Sequence, residues 1–406
     1  MLYNSLMCEI RTHDGLILKG SLKLPHGSEG KKVPVVLFLV GSGRVNRYEA
    51  IPREEGVFAE DAKAHKILEP LERALLERGI ASFAYDKRGI ESMDPSCSEF
   101  RVDEERFDQA TASNLYKDAL AAFDTLQGFE EIDPSRMAIL GHSEGTLLAN
   151  RVAEVRPELH SLFLFGTPVR PLSENVEHQL VAAKRDLFDL IKPTGSEFIT
   201  RSDYEPFAKE LGWAELTGFG KPVTEENTTR MLPYSWEDLT EFFDAVDPAQ
   251  ITREEWRGKF QSRFDQFLEA VGSDDVPWNI ETVGSLSGLP RLWFREYFED
   301  GSFLKRHAQF AHKTYIYQGE TDTQTLYQEA LALKEECERE GKSLAKFRSY
   351  PGLGHFFSRN AGLRQWRRTL GPLNSVVAND FGNDAAFALL GGSFFPQRAL
   401  GSEKLC

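Results

Sequence analysis

At 406 residues the chain can form one core fold carrying a large insertion, and its 41% hydrophobic content is that of an ordinary globular protein, not a disordered or fibrous one. A formal net charge of −15 argues against nucleic acid or an anionic membrane as the main partner and leaves a neutral substrate open. Cys8, Cys97, Cys337 and Cys406 are far apart and form no CxxC pair, a pattern of free thiols in a reducing compartment rather than of a disulfide framework. The opening MLYNSLMCEI meets charge at once and has no apolar h-region, and the longest strongly apolar stretch, Val33 to Val40, is far too short to cross a bilayer. The expected location is cytoplasmic.

In chain order, Met7–Thr12 and Leu16–Leu24 around Asp14-Gly15 read as a hairpin. The uninterrupted apolar run Val35–Val40 reads as a strand buried on both faces. A helix with Leu71, Leu75 and Leu76 on one side stops at Gly79, and Ile80–Tyr85 reads as the next strand. Leu115, Ala119, Ala122, Phe123 and Leu126 recur at helical spacing up to Gly128. After the Asp133-Pro134 turn signal, Met137–Leu140 is a strand, a helix runs from Gly145 to Pro157, and Leu162–Phe165 is a further strand. This alternation implies an α/β fold with a mostly parallel sheet and helices on both faces.

The rhythm breaks after Pro171. From 171 to 305 the sequence shows helical patterns, many aromatics and many charges, but no convincing buried strand. It resumes with a strand at Thr314–Gln318, a helix around Leu326–Glu340 and a strand at Lys346–Tyr350. The organisation expected is a core in two parts, 1–170 and 306–406, with a helical lid at 171–305. Helices are also expected at Leu363–Leu370 and Val376–Leu390.

Gly141-His142-Ser143-Glu144-Gly145 matches G-x-S-x-G directly after a predicted strand and directly before a predicted helix. A nucleophile elbow needs that context, because glycines at both ends permit the tight turn that lifts a serine hydroxyl above the sheet edge. The helix N-terminus at Glu144 supplies a backbone N–H to a developing oxyanion. A serine hydroxyl needs a histidine base oriented by a carboxylate, and such an elbow is followed first by the acid and then by the histidine. The strand ending at Gln318 runs into Gly319-Glu320-Thr321-Asp322, and the strand ending at Tyr350 into Pro351-Gly352-Leu353-Gly354-His355. Asp322 and His355 are therefore the expected acid and base, with Glu320 as rival acid and Glu174 as an outsider. His142 is expected to be structural; His13, His26, His65, His160, His178, His307 and His312 do not follow a core strand in the required order. Gly41-Ser42-Gly43 could open a dinucleotide fingerprint, but Asn46 replaces the third glycine and no G-K-[ST] follows. HExxH, paired CxxC and EF-hand patterns are absent, so neither a cofactor nor a metal is expected.

Together, Val40-Gly41-Ser42-Gly43, Tyr85-Asp86-Lys87-Arg88-Gly89, the elbow, Gly319-Glu320-Thr321-Asp322 and Gly354-His355 resemble the α/β-hydrolase superfamily. The likeness is to its esterase and serine-aminopeptidase-like members with a GSGP-type oxyanion loop, and it covers residues 1–170 and 306–360. It implies the α/β-hydrolase fold, a Ser143–Asp322–His355 triad, and an oxyanion hole made by the N–H groups of Ser42 and Glu144. Arg44 stands where such enzymes often have proline and Glu91 where they often have glycine; both bear on substrate class. Arg47 is expected in a structural ion pair and Asp86-Lys87-Arg88-Gly89 in a structural turn.

Five tryptophans (Trp213, Trp236, Trp256, Trp278 and Trp293) lie in the insertion with many phenylalanines, and Phe260, Phe264 and Phe267 share a helix face as core residues do. An insertion at this point is placed to roof the site, with a few aromatics lining an apolar pocket. The reaction expected is cleavage of a small carboxylic ester by acyl transfer to water. Amide hydrolysis at a free N-terminus, thioester, acyltransfer or C–C chemistry on the same triad, and ligand binding with little turnover are the alternatives. Oligomeric state is not readable.

Overall fold

The structure, a computed structural model, describes residues 3–51, 65–93, 99–192, 195–209, 221–225, 228–283, 286, 288–358 and 372–391. Eight strands form the central sheet: β1 (Tyr3–Arg11), β2 (Ile17–Pro25), β3 (Val33–Leu39), β4 (Ala81–Tyr85), β5 (Ile132–His142), β6 (Ser161–Phe165), β7 (Thr314–Gly319) and β8 (Lys346–Tyr350). Their spatial order is β1-β2-β4-β3-β5-β6-β7-β8. β2 is antiparallel to both its neighbours, and every other pairing is parallel. The hairpin, the Val35–Val40 run and the strands around the insertion therefore lie where the hydrophobic pattern places them.

The apolar strands read as buried on both faces are so. Along β3, Val35, Leu37 and Leu39 face one core while Val36 and Phe38 face the other. The first core is closed by α2 (Ala112–Gln127) and α3 (Glu144–Val155). Across the sheet, α1 (Glu69–Leu76) packs on a helix near the end of the chain, Ser375–Leu390, through Leu71, Leu75, Val377 and Phe381. The helix expected at Leu363–Leu370 lies outside the described residues, as do Cys97, Cys406, Trp213 and Trp366. Cys8 and Cys337 are free thiols.

One boundary differs from expectation. Asp133-Pro134, read as a turn before the strand, lies inside β5. The sequence signal is real but is expressed as an irregularity: the register against β3 shifts between Val33 and Val35, where proline cannot donate to the ladder and Asp133 accepts from Ser135 and Arg136.

Between β6 and β7 the chain leaves the sheet. This segment contains helices and two small two-stranded ribbons, Phe198–Thr200 with Gln250–Thr252 and Lys221–Glu225 with Thr228–Leu232. Its longest helix, α4 (Arg253–Gly272), is capped by Thr252 and Glu255 acting reciprocally. The helix spans two cores. Trp256 and Phe260 pack with Phe188, Trp236 and Phe243 in a core of the segment's own, whereas Phe264 and Phe267 join the main core beside Trp293 and Phe294.

Two buried arginines are paired with carboxylates. Arg47 makes two side-chain bonds to Asp86 (3.1 and 2.6 Å), as expected of a structural ion pair. Arg88, fully buried, grips Asp118 on α2 with Nε at 2.8 Å and a second nitrogen at 2.7 Å, and reaches Asp14 in the first hairpin at 3.0 Å. Removing one partner of such a pair strands the other charge in a low-dielectric interior. Asp118→Ala is expected to lower the unfolding free energy by about 3–5 kcal/mol, measured by urea denaturation; a change below about 1 kcal/mol would show that water reaches Arg88.

Candidate active site

Ser143 joins the end of β5 to the start of α3 with φ 52° and ψ −119°, a conformation costly for a residue with a side chain. Its neighbours show why the turn is so tight. A Cβ at Gly141 would lie 2.4 Å from the carbonyl oxygen of Gly145, and one at Gly145 would lie 2.0 Å from that of Leu39. Only glycine fits at either end. The Ser143 N–H donates to the Phe165 carbonyl on β6 at 2.9 Å, and its own carbonyl accepts from Thr146 N–H and Oγ1.

The loops after β7 and β8 bring Asp322 and His355 together. His355 Nδ1 lies 2.8 Å from Asp322 Oδ2, and both side chains are buried. A carboxylate accepts only, so in the neutral form of the ring Nδ1 carries the proton and Nε2 presents a lone pair. Asp322 is held by more than His355. Its Oδ1 accepts the N–H groups of Gln324 and Thr325, and its Oδ2 accepts Thr325 Oγ1 and Gln318 Nε2. Burial pushes its pKa up, but the His355 charge, the His355 hydrogen bond and the Thr325 bonds outweigh burial and bring it below the ordinary value.

A Cβ at Gly166, the residue after Phe165, would lie 3.2 Å from the His355 ring, so the loop after β6 packs closely against that ring. Among the described residues neither Ser143 Oγ nor His355 Nε2 makes a hydrogen bond, which leaves the hydroxyl and the lone pair available. Glu320, the rival acid, instead accepts from Ser349 Oγ at 2.7 Å, and Glu174 is exposed on the helix Leu172–Glu177. Of these three carboxylates, Asp322 is the one hydrogen-bonded to His355 among the described residues.

His142 fits its structural expectation. Its Nδ1 lies 2.8 Å from Glu49 Oε1 and its Nε2 lies 3.0 Å from the His355 carbonyl. When Glu49 is ionised both partners are acceptors, and an imidazolium is the form of the ring whose two nitrogens can both donate to them. Burial lowers the His142 pKa, but the Glu49 charge and hydrogen bonds to Glu49 and the His355 carbonyl raise it above the ordinary value overall. Glu49, buried, is pushed up by burial and brought below its ordinary value by His142, His355 and Lys87.

The same Glu49 oxygen accepts the Gly41 N–H at 3.1 Å, while Lys87 Nζ donates to the Gly41 carbonyl at 2.6 Å. The loop bearing Ser42 is thus gripped on both sides at the residue before it. Ser42 itself is exposed. A Cβ at Gly41 would lie 3.3 Å from that of Ser143, so Ser42 is joined to a residue packed against the elbow. The other expected donor, Glu144 N–H, opens α3 beside Ser143. The Glu144 carboxylate is buried and bonded by Trp293 Nε1 and Tyr297 Oη of α5 (Arg291–Glu299), with Lys87 Nζ 4.0 Å away. Burial raises its pKa more than these partners lower it.

The strand order, with one reversed strand, the serine turn after β5 and the acid and histidine loops after β7 and β8, decides the fold. The chain has the α/β-hydrolase fold. Residues 71–217 match the prolyl oligopeptidase family. A stretch of 164 residues is 31% identical to esterase EstD of Thermotoga maritima; it is 40% of this chain and spans 33% of that enzyme, about a third of its length. Among solved structures, that of DcsB in complex with its substrate analogue aligns over 96% of this chain and 100% of its own, at 13% identity and a TM-score of 0.49. A puromycin-hydrolyzing peptidase of Mycobacterium tuberculosis aligns over 98% of this chain and 40% of its own, at 13% identity and a TM-score of 0.47. Among the described residues no helix is long and apolar enough to cross a membrane, and no cluster of three or more His, Cys, Asp or Glu side chains is placed to hold a metal ion.

The sequence reading did not find Glu49, nor the hold of α5 on Glu144. Glu49 carries no motif; it becomes visible only when the chain folds back beneath the elbow. The Asx-type turn in which Asp322 Oδ1 accepts the Gln324 N–H two residues on is the local signal an aspartate in a loop offers.

The Glu49–His142 pair gives stability a defined pH window. Glu49, with its lowered pKa, stabilises the fold fully above about its ordinary 4.5 and loses this as pH falls. His142, with its raised pKa, stabilises fully below about its ordinary 6.5 and loses this as pH rises through the folded value. The stability gap between wild type and Glu49→Gln is therefore expected to be largest between these values, about 1.5–3 kcal/mol, and to shrink on either side. Urea titrations across pH test this; a gap independent of pH would refute the charged pair.

Proposed function

We propose that this α/β-hydrolase cleaves small carboxylic esters through an acyl-enzyme on Ser143. The observation that carries the reading is the His355 Nδ1 bond to a multiply held Asp322 carboxylate, behind a serine fixed in a strained strand-to-helix turn. In the proposed cycle, His355 Nε2 takes the Ser143 proton as Oγ attacks the ester carbonyl. The resulting oxyanion is held by the N–H groups of Ser42 and Glu144, and the imidazolium is stabilised by Asp322. The proton passes to the leaving alcohol. Water, deprotonated by His355, then attacks the acyl-enzyme and releases the acid. No metal or cofactor takes part in the scheme.

Residues 171–305 serve in this reading as a lid over the site. Support comes from α5, whose Trp293 and Tyr297 bond the side chain next to the nucleophile and so tie the inserted segment to the elbow. A lid rich in aromatics suits an apolar acyl or alcohol group and excludes water from the acyl transfer. The likeness of part of the chain to an esterase favours an ester, and the match to the prolyl oligopeptidase family makes an amide the second substrate class to test.

A fluorophosphonate probe is expected to label wild type at Ser143, located by peptide mass spectrometry, and to leave Ser143→Ala unlabelled. Absence of label on the folded wild type would overturn the reading. With p-nitrophenyl esters, Asp322→Asn is expected to lower kcat on the order of 10⁴-fold, whereas Glu320→Gln is expected to stay near wild type. The reverse result would transfer the acid role to Glu320. Amino-acid arylamides assayed beside the esters decide between ester and amide.

A further inference from the structure

Lys87 belongs to a run whose neighbours are accounted for: Asp86 holds Arg47, and Arg88 holds Asp118 and Asp14. Lys87 is different. Its side chain is buried, and among the described residues its one hydrogen bond goes to the Gly41 carbonyl at 2.6 Å. Burying an ammonium is expensive, and a methionine of similar length would fill the same space without that cost. The nearest carboxylate oxygen, Glu144 Oε2, is 4.0 Å away, too far for a hydrogen bond, and has no other hydrogen-bond partner.

The carbonyl that Lys87 holds shares a peptide plane with the Ser42 N–H. That peptide is trans, as are all the described peptides, so the two groups point in opposite directions. Fixing the Gly41 oxygen on Lys87 therefore turns the Ser42 N–H toward the opposite side, and a flip of this peptide would replace the donor with a carbonyl. A donor whose own peptide oxygen bonds an ammonium is also polarised and becomes the stronger donor. Lys87 further stands within 4.0 Å of the side chain of Glu144, whose N–H is the second donor.

We propose that Lys87 is the positioning residue of the oxyanion hole: through its bond to the Gly41 carbonyl it orients and polarises the Gly41–Ser42 peptide. The inference rests on the acyl-enzyme reading and deepens it. Lys87 touches no reacting atom; it acts through the Ser42 N–H, so its effect falls on the transition state and not on substrate binding.

Lys87→Met, compared with wild type on a p-nitrophenyl ester, is expected to lose about 10²-fold or more in kcat with KM changed less than threefold. An alkylboronic acid, which forms a tetrahedral anionic adduct on an active serine, is expected to bind more weakly by a similar factor. Lys87→Gln, whose amide can still donate to the Gly41 carbonyl, is expected to fall between Met and wild type, and Lys87→Arg to recover more than Gln. A folded Lys87→Met that keeps kcat and boronate affinity within threefold of wild type overturns the proposal. If the methionine variant does not fold, the glutamine variant decides: a tenfold or greater kcat loss at unchanged KM supports the charge, and wild-type kcat refutes it. A loss confined to KM, or a fall in melting temperature with kcat intact, would make Lys87 a structural residue only. Fluorophosphonate labelling of the wild type separates the two levels, since an unlabelled wild type overturns the hydrolase reading itself, whatever Lys87 does.

Discussion

Between residues 141 and 145 the backbone passes so close to its surroundings that no β-carbon fits at either end, with carbonyl oxygens 2.4 and 2.0 Å from where one would stand. That crowding holds Ser143 at a positive φ and sets the distance between β5, β3 and the first turn of α3. Every other group at the candidate site is placed relative to this crossing. Gly41 packs on the serine, Phe165 and Gly166 run beside it, and the histidine loop is fastened to His142 one residue upstream. Local strain of this kind persists only where the surroundings over-determine it, and here three adjacent strands do so.

Beneath the serine, a chain of buried polar groups links elements distant in sequence. Glu49 joins the Gly41 loop to His142, His142 joins the elbow to the backbone of His355, and Glu144 joins the elbow to α5 of the inserted segment. Burial opposes ionisation of each member, and the neighbours decide which side wins. Opposite charge at hydrogen-bond distance keeps Glu49 and Asp322 below their ordinary pKa values, whereas Lys87 at 4.0 Å from Glu144 is too distant to do the same.

The apolar periodicities made the sheet, its covering helices and the interruption after β6 legible, because each rests on burial patterns confined to short windows. The pairing of Asp322 with His355 was legible for another reason: chain order and strand ends limit which acid can meet which histidine. What lay beyond reach was contact made by folding back. Glu49 has no neighbour pattern that marks it, Trp293 and Tyr297 look like any other core aromatics, and Asp133-Pro134 signals a turn although the tertiary pairing carries it into a bulged strand.

The two-core character of the inserted segment bears on how such a molecule can change. Among the described residues the distal core around Phe188, Trp236, Phe243 and Trp256 shares no side chain with the central sheet, so its residues can drift in size together while the sheet keeps its packing. Trp293 and Tyr297 lack that freedom. Each contributes one polar hydrogen to a buried carboxylate, and phenylalanine at either position would fill the volume while withdrawing the hydrogen. Divergence among descendants of this chain would then run through the far half of the insertion, with the helix nearest the serine as its fixed point.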